Sequence, residues 1–433
     1  MDRAEAFLQH MGFQPETPDV ASLLRDFERE MAAGLVGASS LQMIPAYLSI
    51  GKPVPVGKPV IVLDAGGTHL RVGLVAFNEH GMPTISHFTK HRMPGTDGPI
   101  TARAFYETLA DCVAPLASEA DAVGFCFSYP AAVTPDCDAR LLRWTKEVQA
   151  PEVVGTMVGS SLRDCLAARG LRLRVTVLND TVATLLAGRS AGMERRYETY
   201  VGFILGTGTN TAYMERHAAI TKVAGLSADG AMAINVESGN FAGAPRSRFD
   251  DLFNATTKDP GVSLFEKMIS GAYLGGLGLT ILREAAVAGL FSAAAAAAIG
   301  ATRKLATKEL DDFCHNPFIR SGAVAALPLT DDDRRLILAL CTPMFARAAC
   351  FTAVNMAAAV LKTGAGRDPL HPVCVTVDGS TFYRTLTAAF KSRVEEHLRS
   401  ILGGRGIAYD LIHVDEAPVI GAAVAGLSGA WQF

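Results

Sequence analysis

Val60, Ile61, Val62 and Leu63 form an uninterrupted apolar run that ends at Asp64, and Gly66-Gly67-Thr68 follows. Apolar positions then return at every second residue, Leu70, Val72, Leu74 and Ala76. A continuous apolar run followed by strict alternation predicts strand, glycine turn, strand over residues 60–77. Two roles suit that turn. It is a plain hairpin connection, or its backbone N–H groups form a nest for phosphate oxygens with Asp64 facing the accompanying metal. The pattern recurs at 201–214, where an apolar run leads into Gly206-Thr207-Gly208-Thr209-Asn210. A third variant stands at 373–381, where an apolar run meets Asp378-Gly379-Ser380-Thr381. One repeated supersecondary unit predicts a duplicated α/β architecture with a cleft between its halves.

Elsewhere the apolar spacing is mostly helical. Leu23, Leu24, Phe27 and Met31 mark a helix over 20–33, and residues 100–116 mark another ending near Pro115. Residues 122–128 read as a strand that stops at Tyr129-Pro130, and 175–178 as a short buried strand. Helices are predicted over 153–168, from Thr181 onward, within 261–300, as one or two over 331–362, and over 419–427. The alanine-rich stretch 285–301 reads as a packed helix, because alanine forms helix well and is only weakly apolar.

A chain of 433 residues, 49% hydrophobic and 19% charged, folds with a large core and has room for two domains. A net charge of -3 gives no general drive toward nucleic acid or anionic membrane. The first residues lack a secretory pattern, and the eight cysteines form no C-x-x-C pair, so a reduced, cytoplasmic protein is expected. A Walker phosphate loop, a G-x-S-x-G elbow and an H-E-x-x-H helix are all missing from the sequence.

Asp180, at the end of a buried strand, suits a general base that accepts a hydroxyl proton during phosphoryl transfer. The plainer alternative, favoured on composition, is that Asn179 or Asp180 caps the following helix. Lys146 suits charge stabilisation on a transferring phosphoryl group, or is a solvated lysine. Glu237 and Glu266 suit acceptance of sugar hydroxyls, or are a loop acid and a paired helix acid at the surface. Taken singly, none of these residues outweighs its plainer role.

Taken together and in order, the motifs resemble the hexokinase/glucokinase family of the actin-like sugar-kinase superfamily. They are Ser39-Ser40-Leu41-Gln42-Met43-Ile44-Pro45, Leu63-Asp64-Ala65-Gly66-Gly67-Thr68 with Arg71, and Phe127-Ser128-Tyr129-Pro130. Trp144-Thr145-Lys146, Asn179-Asp180-Thr181-Val182, Gly206 to Asn210, Phe265 to Gly271 and Val377-Asp378-Gly379-Ser380 continue them. The resemblance implies an α/β, two-domain actin-like (ribonuclease-H-like) ATPase fold with an inter-domain cleft. The small domain would be 50–178 plus 420–433, and the large domain 1–49 plus 179–419.

The implied activity is transfer of the ATP γ-phosphoryl group to the 6-hydroxyl of a hexose. Glucose comes first, with mannose and fructose as further candidates. Asp180 would be the base, assisted by Lys146. Ser128, Thr145, Lys146, Asn179, Asp180, Asn210, Glu237 and Glu266 would hold the sugar. Asp64, Gly66, Gly67, Thr68, Arg71, Gly206, Thr207, Gly271, Gly379 and Ser380 would line the nucleotide side, with Asp64 holding Mg²⁺ through water. No nucleic-acid or membrane partner is expected, and the oligomeric state is left open. The rival readings are a catalytically idle sugar sensor of the same family and a non-sugar kinase or ATPase of the superfamily. Three positions depart from the family pattern: His69 stands where Asn is usual, Ser238 where Trp is usual, and 415–423 lack the usual glycine- and serine-rich approach to Gly-Ala-Ala.

Overall fold

The computed structural model describes residues 3–13, 19–51, 53–145, 147–191, 195–227 and 229–428. Its first sheet contains Val60–Ala65 (β1), His69–Phe77 (β2), Pro83–Arg92 (β3), Ala122–Phe127 (β4) and Arg174–Leu178 (β5), in the order β3-β2-β1-β4-β5. The second contains Thr199–Leu205 (β6), Thr209–Arg216 (β7), Ala231–Asn235 (β8), Val373–Asp378 (β9) and Tyr409–Ile412 (β10), in the order β8-β7-β6-β9-β10. A two-residue edge strand, Ile44–Pro45, is added beside β8. In each sheet the first three strands form an antiparallel meander and the last two join in parallel. The duplication expected from the repeated glycine turns is therefore a duplication of topology.

Period-2 alternation explains how β1 holds two cores apart. Ile61, Leu63 and Ala65 face a core shared with Phe105, Leu109, Leu162 and Leu166, from the Ala102–Val113 and Val158–Ala168 helices. Val60 and Val62 face the main core, which includes the Ala417–Ser428 helix. That helix packs on β1 and β4 and against the Asp180–Ala191 helix. The two helices approach so closely that a Cβ at Gly421 would lie 1.8 Å from the Ala183 carbonyl oxygen. Any larger residue at 421 would force them apart.

Several boundaries differ from the sequence expectation. The helix expected over 153–168 begins only at Val158, because Gly155 takes φ +87, outside the helical region. The alanine-rich stretch is two helices, Leu274–Val287 and Ala293–Ala301, broken after Gly289 at φ +70 and restarted by a Ser292 cap. The third glycine turn is not part of a hairpin: after β9 the chain enters the Ser380–Arg384 helix. Asp331–Lys362 is one 32-residue helix. It is long and apolar enough to cross a membrane, yet 72% of its most apolar window is buried inside the protein, so its composition serves the core.

Candidate active site

The Asp180–Ala191 helix begins just after β5 ends at Leu178. Asn179 caps it, its Oδ1 accepting the Thr181 N–H at 2.8 Å. The capping role thus goes to Asn179. The half-buried Asp180 carboxylate accepts from the Thr181 hydroxyl at 3.2 Å.

Strand register brings Asp64 to the same level. Asp64 pairs with Cys126 and Cys126 with Leu178, so β1, β4 and β5 end side by side. Asp64, the Ser128 loop and Asp180 follow from those ends. Burial pushes the Asp64 carboxyl above its usual range; Arg71 opposes that push and the Asp180 charge adds to it. Arg71 Nη1 lies 2.7 Å from Asp64 Oδ2 and 3.7 Å from Glu416 Oε2.

Gly66, Gly67, Thr68, His69 and Arg71 border a cleft of about 360 Å³, with Thr207 from the second sheet and Glu147 completing its lining. The Gly66 N–H closes the first turn on the His69 carbonyl at 3.0 Å. In the second sheet, the Gly206 carbonyl accepts from the Gly271 N–H and the Thr381 hydroxyl, each at 2.8 Å. The Thr207 carbonyl accepts from Ala272 N–H at 3.0 Å. Gly271, Gly379 and Ser380 stand outside the lining of that cleft. Gly271 is laced to its far wall through Gly206, and the 379–381 turn reaches the same carbonyl through Thr381.

A polar chain runs along the other side. Asn210 Nδ2 donates to Asn235 Oδ1 at 2.7 Å, and Asn235 Nδ2 donates to Glu237 Oε1 at 2.7 Å. Glu237 has left-handed φ 56, and the fully buried Ser238 beside it is joined to Asn355 and Thr211, each at 3.1 Å. Burial pushes the Glu237 carboxyl up, Asn235 holds it down, and the charges of Asp180 and Arg143 act on it in opposite directions. Asp180, the 143–145 loop and Glu237 thus share one electrostatic field. Glu266 Oε2 accepts the Thr209 N–H at 2.9 Å, and a Cβ at Gly208 would lie 2.4 Å from that oxygen. Only glycine at 208 leaves Glu266 in place, so neither acid is the surface residue of its plainer reading. Trp144 donates Nε1 to the Ala150 carbonyl at 2.8 Å, which anchors the segment carrying the exposed Thr145. Lys146 lies outside the described residues.

Asn235, Tyr129, Arg143 and Glu416 belong to this region and were not singled out from the sequence. Asn235 had a local signal, a polar residue ending an apolar strand two positions before Glu237; Arg143 and Glu416 had none. Of the departures, Pro418 falls in the first turn of the Ala417–Ser428 helix, where its missing N–H has no helical acceptor to lose. His69 is exposed opposite Arg92; desolvation and the cations Lys90, Arg71 and Arg92 lower its pKa below the ordinary 6.5.

Comparison with known proteins agrees with this geometry. Hexokinase family profiles match residues 4–190 and 200–428. The chain is 31% identical to hexokinase-1 of Spinacia oleracea over 92% of this chain and 85% of that protein. It is 30% identical to hexokinase-2 of Solanum tuberosum over 99% and 92%. A solved hexokinase from Schistosoma mansoni complexed with glucose superposes with a TM-score of 0.79 at 25% identity, covering 98% of both chains. The chain belongs to the hexokinase family, ATP-dependent kinases of hexoses.

Proposed function

We propose that this chain transfers the γ-phosphoryl group of ATP to the 6-hydroxyl of glucose, with Asp180 as the base. The observation that carries the reading is the meeting of Asp64, Asp180 and Glu237 beside a glycine-turn cleft. Family membership and the glucose-bound relative support it. Asp180 takes the hydroxyl proton as the oxygen attacks phosphorus. Asn179, Asn210, Glu237, Glu266, Ser128 and Thr145 pair the sugar hydroxyls; a sugar lacking one leaves a buried polar group unsatisfied and is rejected. Lys146 adds positive charge at the transferring group. The turn N–H groups of 66–68 and the Gly206–Thr207 turn hold the phosphates.

A divalent metal fits the nucleotide side. Asp64 is a buried acid with Asp180 adding to its charge load, and among the described residues no cluster of three or more His, Cys, Asp or Glu side chains offers a full ligand shell. One carboxylate plus water and phosphate oxygens is the donor set Mg²⁺ favours. When bound, the ion supplies charge neutralisation at the phosphates. The halves 50–178 plus 420–433 and 1–49 plus 179–419 act as the two domains, and hexose draws them together to exclude water.

The test is purified protein with Mg-ATP and a panel of hexoses, with the position of the product phosphate determined. Glucose 6-phosphate is expected. Absence of any hexose phosphate, with hexose still bound, would favour the idle sensor.

Two further outcomes test the sugar side. Glu237 accepts hydroxyls only as a carboxylate, and its pKa lies above the ordinary 4.5 because of burial. Hexose affinity should therefore fall on acidification at a higher pH than an ordinary glutamate would impose, and Glu237→Gln should flatten that limb in a binding titration. Gly208→Ala pushes Glu266 from its oxygen-to-amide contact. It should raise KM for hexose roughly tenfold, on the scale of one charged hydrogen bond, while KM for ATP stays near wild type.

A further inference from the structure

Tyr129 is the one side chain from the sugar-side loop that reaches the phosphate turn. Its hydroxyl donates to the Gly66 carbonyl oxygen at 2.6 Å. The ring is 3% exposed, set edge-on to Trp144 at 4.7 Å and tilted against Phe127 at 5.0 Å. Burial raises the phenol's pKa, so it remains a donor throughout the working pH range.

The consequence follows from peptide geometry. The Gly66–Gly67 peptide is planar and trans, so its C=O and N–H point in opposite directions. A carbonyl held inward by the buried Tyr129 turns the Gly67 N–H outward, toward the cleft that Gly66, Gly67, Thr68 and Thr207 line. Neither glycine has a side chain to oppose rotation of that peptide, and a flipped peptide would present a carbonyl oxygen to the phosphates. A carbonyl there repels an anion as strongly as an N–H attracts it.

We propose that Tyr129 is a positioning residue for the phosphoryl donor: its hydroxyl locks the Gly66–Gly67 peptide in the orientation that binds phosphate. The proposal rests on the reading of 66–68 as the phosphate turn. Tyr129 follows Ser128 directly and stacks on Trp144, which precedes Thr145. The donor's turn is thus fastened to the same loop that meets the hexose.

Tyr129→Phe keeps the ring and removes only the hydroxyl. In the full-length protein it should raise KM for Mg-ATP about five- to tenfold, the scale of one lost hydrogen bond, and leave KM for glucose and the melting temperature unchanged. Calorimetric titration with Mg-AMP-PNP, a non-hydrolysable ATP analogue, should show the same weakening without turnover. An unchanged donor affinity overturns the proposal. Equal losses for donor and glucose, with a lowered melting temperature, also overturn it, because they assign the hydroxyl to packing alone. If wild type phosphorylates no hexose yet Tyr129→Phe still weakens Mg-AMP-PNP binding, the functional reading fails and this inference stands.

Discussion

Asp180→Asn should lower kcat by about 10²–10⁴-fold, the usual contribution of a positioned general base. The change keeps size and hydrogen-bonding reach but cannot take a proton. It should not unfold the helix it begins, because Asn179 holds the cap. The melting temperature should therefore match wild type, and hexose should still bind. A second effect follows from charge. Asp180 raises the pKa of both Asp64 and Glu237, so its neutralisation lowers both. Hexose binding by Asp180→Asn should persist to a lower pH than in wild type. Rapid-quench measurement of the chemical step, beside hexose binding across pH, checks both parts. Near-normal kcat in this variant would remove Asp180 from the chemistry.

Arg347→Met should produce the largest loss of stability, about 3–5 kcal/mol, as expected when one partner of a buried ion pair is removed. Arg347 is 8% exposed and Asp250 3%, and their two hydrogen bonds measure 2.7 and 2.8 Å. The guanidinium also lies 4.4 Å from the Phe13 ring centroid. Asp250 caps the Arg248–Ala255 helix in a box with Ser247, so its charge cannot move to water without breaking that cap.

The pH dependence should invert. In wild type, burial raises the Asp250 pKa, but Arg347 and Ser247 outweigh it and hold it below the ordinary 3.8. A depressed folded pKa contributes stability above the unfolded value, lost as pH falls through the folded one. Without Arg347, burial dominates and the folded pKa rises above the unfolded value. The Asp250 contribution is then retained in acid and lost as pH rises. The deficit of Arg347→Met should shrink from neutral toward mildly acidic pH in urea denaturation, and Asp250→Asn combined with Arg347→Met should recover part of it. A deficit independent of pH would show that the lost packing on Phe13, and not the stranded charge, dominates.

The legible part of this protein was local. Alternation in 60–77 specified a strand pair because side chains on a strand face opposite ways, and one face of β1 proved to serve each core. The recurrence of strand and glycine turn near 206 foretold duplication, which the structure shows as two sheets of identical order. The third turn misled, since Asp378-Gly379-Ser380-Thr381 leads equally well into a hairpin or a helix start; contacts to the Gly206 carbonyl accompany the helix.

The candidate acids were nameable from residue type and ordered motifs, but their standing was not. Asn179 and Asp180 are equivalent as caps in sequence, and only the direction of the Asn179 side chain separates them. Glu237 and Glu266 are ordinary loop and helix acids until Asn235, Gly208 and Asp180 are brought beside them from other strands and helices. Arg347 with Asp250, and Tyr129 with Gly66, join positions 97 and 63 residues apart, respectively. The sequence by itself determined the strands, the turns and the kinds of chemistry available, because those depend on near neighbours along the chain. Tertiary structure alone decided which carboxylates share a field and which backbone groups face the cleft, because charge and hydrogen bonding act through space.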